Sequence, residues 1–216
     1  MTEKIKHLNL PLGEKEAREL RVGDMVTVSG KLFTGRSRFH IRAIAEDILP
    51  PIDFSQVNCF FHSGPVMRQT EAGWEIVSIE PTSSIRFERY GAEVIRKLKL
   101  RTLIGKTTMG RRSAEALAEV GGVFLSKIGV CGNSIAEQVK KVHGVYFAEE
   151  LGKTEATWLF EVEEFGPFFV AIDALANSYF ENRDGAIRQK LAQVESDLGI
   201  RPDYRYTVVG PTGSNE

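Results

Sequence analysis

The sequence has few cysteines, no long apolar run and no excess of either charge. Its two cysteines, Cys59 and Cys131, are 72 residues apart, which excludes a disulfide framework and a cluster built from this chain's thiolates alone. The apolar run Gly166–Ile172 stops at Asp173, far short of the about 18 residues that a membrane span needs. The amino terminus lacks the apolar core of a secretory leader. We therefore expect a cytoplasmic protein without membrane contact.

The charges are balanced, with 28 Lys plus Arg against 29 Asp plus Glu and a net charge of −1. Proteins that bind duplex nucleic acid usually carry a basic excess that displaces counterions from phosphates, so nucleic acid is not an expected partner. The chain has 216 residues, of which 42% are hydrophobic, enough for a layered core. We therefore expect a single domain over residues 1–216.

The hydrophobic pattern changes along the chain and favours an α/β fold. Short extended segments dominate up to about residue 65, and strands alternate with helices after it. The predicted strands cover residues 25–30, 31–34, 58–62, 75–79, 102–105, 123–126, 157–165 and 168–172. The predicted helices cover residues 38–47, 85–98, 110–120, 133–143 and 184–198. We interpret the last helix as a packed or solvated terminal element and residues 207–216 as a loose tail.

Two segments before residue 90 carry groups suited to an anion. Arg36 follows a predicted strand, and its planar guanidinium matches a carboxylate through two parallel hydrogen bonds. His40, four residues later, either shares a helix face with Arg36 or packs. Pro81–Arg86 places hydroxyls and a second arginine at a predicted helix start, where free amides and the dipole favour an anion. The alternatives are a surface arginine and a plain N-cap formed by Thr82, Ser83 or Ser84.

Four further side chains allow a structural as well as a functional interpretation. Lys106 lies where a strand ends and a helix begins, which is where α/β sheets bind ligands, although a solvated lysine would look the same. Both cysteines are most simply interpreted as thiols buried in the hydrophobic core. His62, beside two phenylalanines, indicates a half-buried structural histidine.

Five segments follow one another in a consistent order and spacing. They are Gly23-Asp24-x-Val26-x-Val28-Ser29-Gly30-x-x-Phe33-Thr34-Gly35-Arg36-x-x-x-His40, His62-Ser63-Gly64-Pro65, Pro81-Thr82-Ser83-Ser84-Ile85-Arg86, Ile104-Gly105-Lys106 and Gly121-Gly122-Val123-Phe124-Leu125. This ordered set resembles the beta subunit of class I, iron–sulfur fumarate hydratase and L-tartrate dehydratase. The resemblance covers residues 9–180.

The resemblance implies a swivelling β/β/α domain that works with a separate alpha subunit or is fused behind one. In that family the alpha part holds a [4Fe-4S] cluster whose open iron coordinates a 2-hydroxy dicarboxylic acid. The implied reaction is a reversible hydration or dehydration, either fumarate to malate or tartrate to oxaloacetate. The implied assembly is a hetero-oligomer, with a homodimer as the alternative for the isolated chain, and this chain itself binds no metal.

The resemblance also implies roles for five side chains. Thr82 and Lys106 would be catalytic, and Arg36, Arg86 and His40 would bind substrate. Thr82 would handle the proton at C3, while the cations would hold the carboxylates and stabilise the dianion-like species that forms when that proton leaves. A threonine hydroxyl is a weak base, so a group on the alpha subunit would assist it.

The sequence departs from the family pattern at several positions around these residues. Glu80 and Ile85 replace glycines, and Ser37 replaces an acidic residue. Ile85 and Phe39 add bulk, which prompts a second hypothesis of the same fold acting on a larger hydroxy acid. A third hypothesis is a non-catalytic subunit, which either binds an organic acid or has a regulatory role.

Overall fold

The computed structural model describes residues 5–71, 73–127, 129, 131–201 and 203–204. The chain divides into two compact units, Met1–Phe180 and Glu181–Glu216. In the described residues the strands are β1 (Lys6–Asn9), β2 (Met25–Gly35), β3 (Cys59–His62), β4 (Val66–Thr70), β5 (Gly73–Ser78), β6 (Thr102–Gly105), β7 (Val123–Lys127), β8 (Val139–Tyr146) and β9 (Thr157–Ile172). The helices are α1 (Glu14–Glu19), α2 (Ser37–Ile44), α3 (Glu88–Leu98), α4 (Arg111–Val120), α5 (Gly132–Ala136), α6 (Ala148–Leu151) and α7 (Tyr179–Asp197), with a 3-10 turn at Ser84–Phe87.

The main sheet is largely closed on itself. Its strand order is β1-β2-β3-β6-β7-β9-β8, and β9 also pairs antiparallel with β2. Strands β2, β3, β6, β7 and β9 therefore form a ring, while β4 and β5 form a separate hairpin. A closed ring leaves few unpaired strand edges. The α/β class expected from the sequence is confirmed.

The pleat of the ring strands separates two hydrophobic cores. Phe61 and Leu125 belong to one cluster, whereas the adjacent Phe60 and Phe124 belong to the other, as expected when successive side chains alternate between sheet faces. The first cluster fills the ring and includes the fully buried Trp158. The second lies against α2, α3 and α4, whose apolar faces cover the sheet.

Most predicted elements are present, but two pairs of predicted strands are each one strand. The predicted break at 30/31 lies inside β2, where Gly30 has φ +122° beside a bulge. An added Cβ at Gly30 would lie 2.7 Å from the Leu10 carbonyl oxygen, so the absence of a side chain lets the strand bend there and continue. The predicted gap at 166–167 lies inside β9.

The predicted helix over residues 133–143 is wrong. The short helix α5 ends at Ala136, and β8 begins at Val139 and pairs with β9. Val139, Val142 and Val145 pack against the ring core, and such β-branched residues fit a pleated surface better than a helix. The pairing with β9 overrides the local helical pattern. Strands β1 and β4 and helix α1 have no counterpart among the predicted elements.

The carboxyl-terminal unit contains most of the long helix that the sequence predicts over 184–198. No residue of α7 is buried. No helix in the described ranges is both long and apolar enough to cross a bilayer. The predicted tail at 207–216 lies outside the described residues. The expectation of one domain over the whole chain stays a prediction.

Candidate active site at the carboxyl edge of the parallel strands

Three parallel strands end side by side and carry the candidate residues. β2 pairs parallel with β3, and β3 with β6, so Gly35, His62 and Gly105 end neighbouring strands at one edge. Arg36 and Lys106 come directly after two of those ends. This is the edge at which open α/β sheets bind ligands.

A loop from the β4–β5 hairpin brings Thr82 to the same edge. Ser63 bridges Pro81, Ser83 bridges Lys106, and the Thr82 N–H donates to the His62 carbonyl at 2.8 Å. The segment 81–83 therefore lies between the ends of β3 and β6. Residues that are 24 apart in sequence, Thr82 and Lys106, become near neighbours in this way.

Ser84 links the loop at residues 81–83 to the ends of β3 and β6. The sequence analysis considered it only as an N-cap. Its Oγ lies 3.0 Å from His62 Nδ1 and accepts the Lys106 backbone N–H at 3.2 Å. The side chain is fully buried, and an added Cβ at Gly105 would lie 2.0 Å from its Oγ. The N-cap interpretation is wrong for Ser83, which makes no side-chain capping bond. Ser84 instead fixes the loop to the strand ends.

Thr82 and Arg86 are in direct contact. Arg86 Nη2 donates to Thr82 Oγ1, and Arg86 Nε donates to the Ser83 carbonyl at 3.3 Å. A guanidinium that donates to a hydroxyl oxygen stabilises negative charge on that oxygen and leaves the hydroxyl proton available for donation. Thr82 is half-buried and Arg86 exposed, so both side chains can meet a ligand that approaches this edge.

Arg36 is anchored by an acidic residue distant in sequence. Its Nε lies 3.6 Å from Glu155 Oε1, while Glu155 Oε2 accepts the Arg38 N–H at the start of α2 at 3.0 Å. An added Cβ at Gly64 would lie 2.7 Å from Arg36 Cδ, so the arginine stem crosses the end of β3 closely. Glu155 supplies the carboxylate that Ser37 lacks. No local signal in the sequence points to it.

His40 and His62 form a buried aromatic cluster beneath the edge. They are 1% and 0% exposed, and their rings pack 5.1 Å apart against Phe60 and Phe87. Burial lowers the pKa of His40 to about 4, and burial together with the His40 ring lowers that of His62 well below its usual range. His40 Nδ1 donates to the Arg36 carbonyl at 2.9 Å. His40 therefore supports Arg36 from inside the protein, and His62 is fully buried, not half-buried as the sequence suggested.

The two histidines predict an acid-sensitive fold. In the unfolded chain a histidine binds a proton at a pKa of about 6.5, but folded His40 does so only near pH 4. The unfolded state therefore binds more protons between these values, and stability is intact at pH 7 and falls from pH 6.5 towards 4. His40 alone should cost about 3 kcal/mol over that window.

Urea unfolding of the chain at pH 7, 6, 5 and 4 measures this dependence. His40→Gln keeps a donor for the Arg36 carbonyl and should flatten the slope, whereas His7→Gln, at an exposed position, should not. A slope that is the same in wild type and His40→Gln would contradict the assignment.

Lys106 lines a cavity of about 320 Å³ at the ends of β6 and β7. The other wall carries Lys127, Ser126 and Glu80. Lys106 is exposed, and its Nζ forms no ion pair with any described residue. The candidate residues Arg36, Thr82 and Arg86 do not line this cavity. This chain therefore provides an open edge, not an enclosed pocket that contains all the candidates.

Glu80 is the unusual group of that wall. Both of its carboxylate oxygens are buried and lack a hydrogen-bond partner within the part of the chain that the structure describes. A buried, unpaired polar group costs about 1–3 kcal/mol of folding free energy.

We expect Glu80→Ala to raise the melting temperature by several degrees, while Glu71→Ala, at an exposed position, should change it little. Differential scanning calorimetry of the three proteins checks this, and a lowered melting temperature for Glu80→Ala would show that the carboxylate is stabilising.

The cysteines of this chain do not fit an iron–sulfur cluster. A [4Fe-4S] cluster typically takes four thiolates, and the chain has two cysteines. Cys59 is buried, and burial raises the pKa of its thiol, whereas Cys131 is exposed, which corrects its interpretation as a core thiol. Among the described residues no group of three or more His, Cys, Asp or Glu could hold a metal ion.

The fold and the edge define an α/β protein whose parallel strand ends carry two arginines, a lysine and a threonine hydroxyl. Comparison with known proteins identifies the family of this chain. The family described as "Fumarase C-terminus" matches residues 2–183. The chain belongs to that family, and the resemblance drawn from the sequence is confirmed.

Curated relatives agree with this placement. A Methanocaldococcus jannaschii protein, provisionally named L(+)-tartrate dehydratase subunit beta, is 34% identical over 186 residues, which is 85% of this chain and 95% of the relative. The L(+)-tartrate dehydratase subunit beta of Escherichia coli K12 is 32% identical over 80% of this chain and 85% of its own length. A Geobacillus stearothermophilus protein, provisionally named fumarate hydratase class I, is 36% identical over 88% of this chain. The alignment spans 36% of that longer relative.

Proposed function

We propose that this chain is the beta subunit of an iron–sulfur-dependent hydro-lyase that reversibly hydrates and dehydrates a four-carbon dicarboxylic acid. Family membership and the names of the relatives support the reaction class. The observation that carries the proposal is the carboxyl edge of β2, β3 and β6. Arg36 and Lys106 follow two of these strand ends, and the loop with the Thr82–Arg86 pair lies against them. The domain would be of the swivelling β/β/α type.

The cations would bind and orient the two substrate carboxylates. Guanidinium groups bind carboxylates through paired, charge-assisted hydrogen bonds, and a lysine contributes a mobile point charge. Loss of the proton next to a carboxylate makes a dianion-like species, which fixed cations stabilise most strongly once water is excluded. Lys106 is suited to this role because no described acidic residue neutralises it. His40 would contribute by holding the backbone of Arg36 from beneath.

Thr82 would transfer the proton at C3. Because Arg86 donates to its oxygen, the hydroxyl can give its own proton to the substrate carbon during hydration. In the reverse direction the same guanidinium would favour the charged oxygen that accepts a proton. A base on the partner subunit would complete the relay, since a threonine oxygen alone is a weak base.

An alpha subunit would close the site and hold the cluster. The candidate edge is open, and this chain lacks the thiolates for a cluster, so both the missing wall and the iron ligands are assigned to the partner. Ile85, which stands where the family pattern has glycine, is 48% exposed, so its side chain would contact a substrate bound beside Arg86 and limit the room there.

Affinity purification of a tagged form of this chain tests the subunit assignment. Expressed alone, the chain should be colourless and inactive. Expressed with the alpha subunit, it should retain that protein together with iron and sulfide in cluster stoichiometry. Stoichiometric iron on the isolated chain, or no retention of an alpha subunit, would overturn the proposal.

A further inference from the structure

The carboxyl-terminal helix α7 exposes a row of large apolar side chains. Ile187, Leu191, Val194 and Leu198 are 57%, 45%, 49% and 70% exposed. Leu198 follows the last helical residue, and its N–H donates to the Val194 carbonyl at 3.0 Å, so it continues the helical pattern. Single exposed apolar residues are normal on a protein surface, but a contiguous row marks an interaction site.

The spacing of these four residues is that of a helix-pairing seam. They are separated by four, three and four positions, which places them on one helix face in a heptad arrangement. We call residues 187–198 with this face the α7 seam. Such a face favours another helix as its occupant, because apolar side chains at these positions insert between those of a facing helix.

The charges beside the α7 seam select the partner and its direction. Arg188 and Lys190 flank the amino-terminal half of the seam, and Glu195 and Asp197 flank its carboxyl-terminal half. When a second copy packs antiparallel, each basic flank lies beside the acidic flank of the other copy. In a parallel pair Lys190 would lie beside Glu195 of the other copy, but Arg188 would lie beside Arg183, which is repulsive. Both flanking pairs are attractive in the antiparallel arrangement, which is therefore favoured and closes with two-fold symmetry.

The α7 seam begins after the segment that the family model matches, which ends at residue 183. All the candidate site residues lie before that point, so the seam can serve a contact separate from the site.

We propose that the α7 seam pairs antiparallel with the same segment of a second copy of this chain. A seam of 12 residues is about 18 Å long, and it buries less than the about 1,200 Å² typical of stable interfaces. The pairing is therefore reversible and depends on concentration. In an assembly of alpha and beta subunits it links two beta subunits.

Sedimentation velocity of the full chain, from about 1 µM to about 1 mM, tests the pairing. Wild type should shift from monomer to dimer within this range. Leu191→Glu places a charge at the centre of the seam without loss of helix propensity and should stay monomeric. Val77→Glu removes an exposed apolar side chain elsewhere and should dimerise like wild type.

A charge exchange tests the antiparallel direction. Lys190→Glu should weaken the dimer about tenfold, and addition of Asp197→Lys should restore it, because the pair is re-formed with reversed signs. A wild-type chain that stays monomeric throughout would overturn the proposal. A dimer that persists in Leu191→Glu, or a double variant without recovery, would do so as well. Release of the alpha subunit by Leu191→Glu, with no self-association of wild type, would identify the alpha subunit as the occupant instead.

Discussion

Replacement of Thr82 by valine is expected to lower kcat of the assembled enzyme about 10²–10⁴-fold, which is the usual loss when a positioned acid or base is removed. Valine keeps the shape and the β-branch and deletes only the hydroxyl. Substrate affinity should change far less, because in the proposed site Arg36 and Lys106 would still hold the carboxylates. Steady-state kinetics of the complex with alpha subunit, with the melting temperature measured in parallel, separates these effects.

Two companion variants make the Thr82 result specific. Thr82→Ser restores a hydroxyl at the same position and should recover most of the rate. Thr70→Val deletes a hydroxyl on the β4–β5 hairpin, where Thr70 Oγ1 donates only to the Gly73 carbonyl, and should leave the rate unchanged. Near-normal kcat for Thr82→Val with a lowered melting temperature would reduce Thr82 to a structural role.

Replacement of Arg86 by methionine should lower kcat/KM by about 10²–10³, the usual loss of a fixed electrostatic group that stabilises developing charge. The loss should appear in both kcat and KM, because Arg86 is assigned to the substrate carboxylate and also donates to Thr82. Arg89→Met, one helical turn further on at an exposed position, is the matched control.

A double-mutant cycle tests whether Thr82 and Arg86 act together. If Arg86 assists the Thr82 oxygen, Arg86→Met should cost much less in the Thr82→Val background than in wild type. Strictly additive losses in kcat/KM would show that the contact between the two side chains has no part in the reaction.

The sequence predicted the central strands of the main sheet better than its outer strand β8 and the hairpin strand β4. β3, β6 and β7 are short apolar runs between turn residues, and that pattern is decisive when both faces are buried. β8 was missed because its pairing with β9 depends on contacts that a local pattern does not contain. The hairpin strand β4, with four of five residues exposed, has no buried face to produce a periodicity.

In the candidate site too, some features follow from the local sequence and others depend on contacts between distant residues. Arg36, Thr82, Arg86 and Lys106 stand in recognisable segments. Parallel strand order places Arg36 and Lys106 at one edge, whereas Thr82 and Arg86 reach it through loop contacts that only the folded chain shows. Glu155 is 119 residues from Arg36 in sequence, so only the folded chain reveals that contact. Their direct contact with one substrate stays a prediction.

The most direct test of the proposed function is turnover of L-tartrate, malate and fumarate by the cluster-loaded alpha subunit, assayed with and without this chain. We expect the pair to interconvert at least one four-carbon dicarboxylate and its dehydrated product, with a rate at least about 10²-fold above that of the alpha subunit alone. Equal rates with and without this chain would contradict the proposed function. Binding of these acids by the loaded pair without any turnover would do so too and would leave a non-catalytic organic-acid-binding subunit.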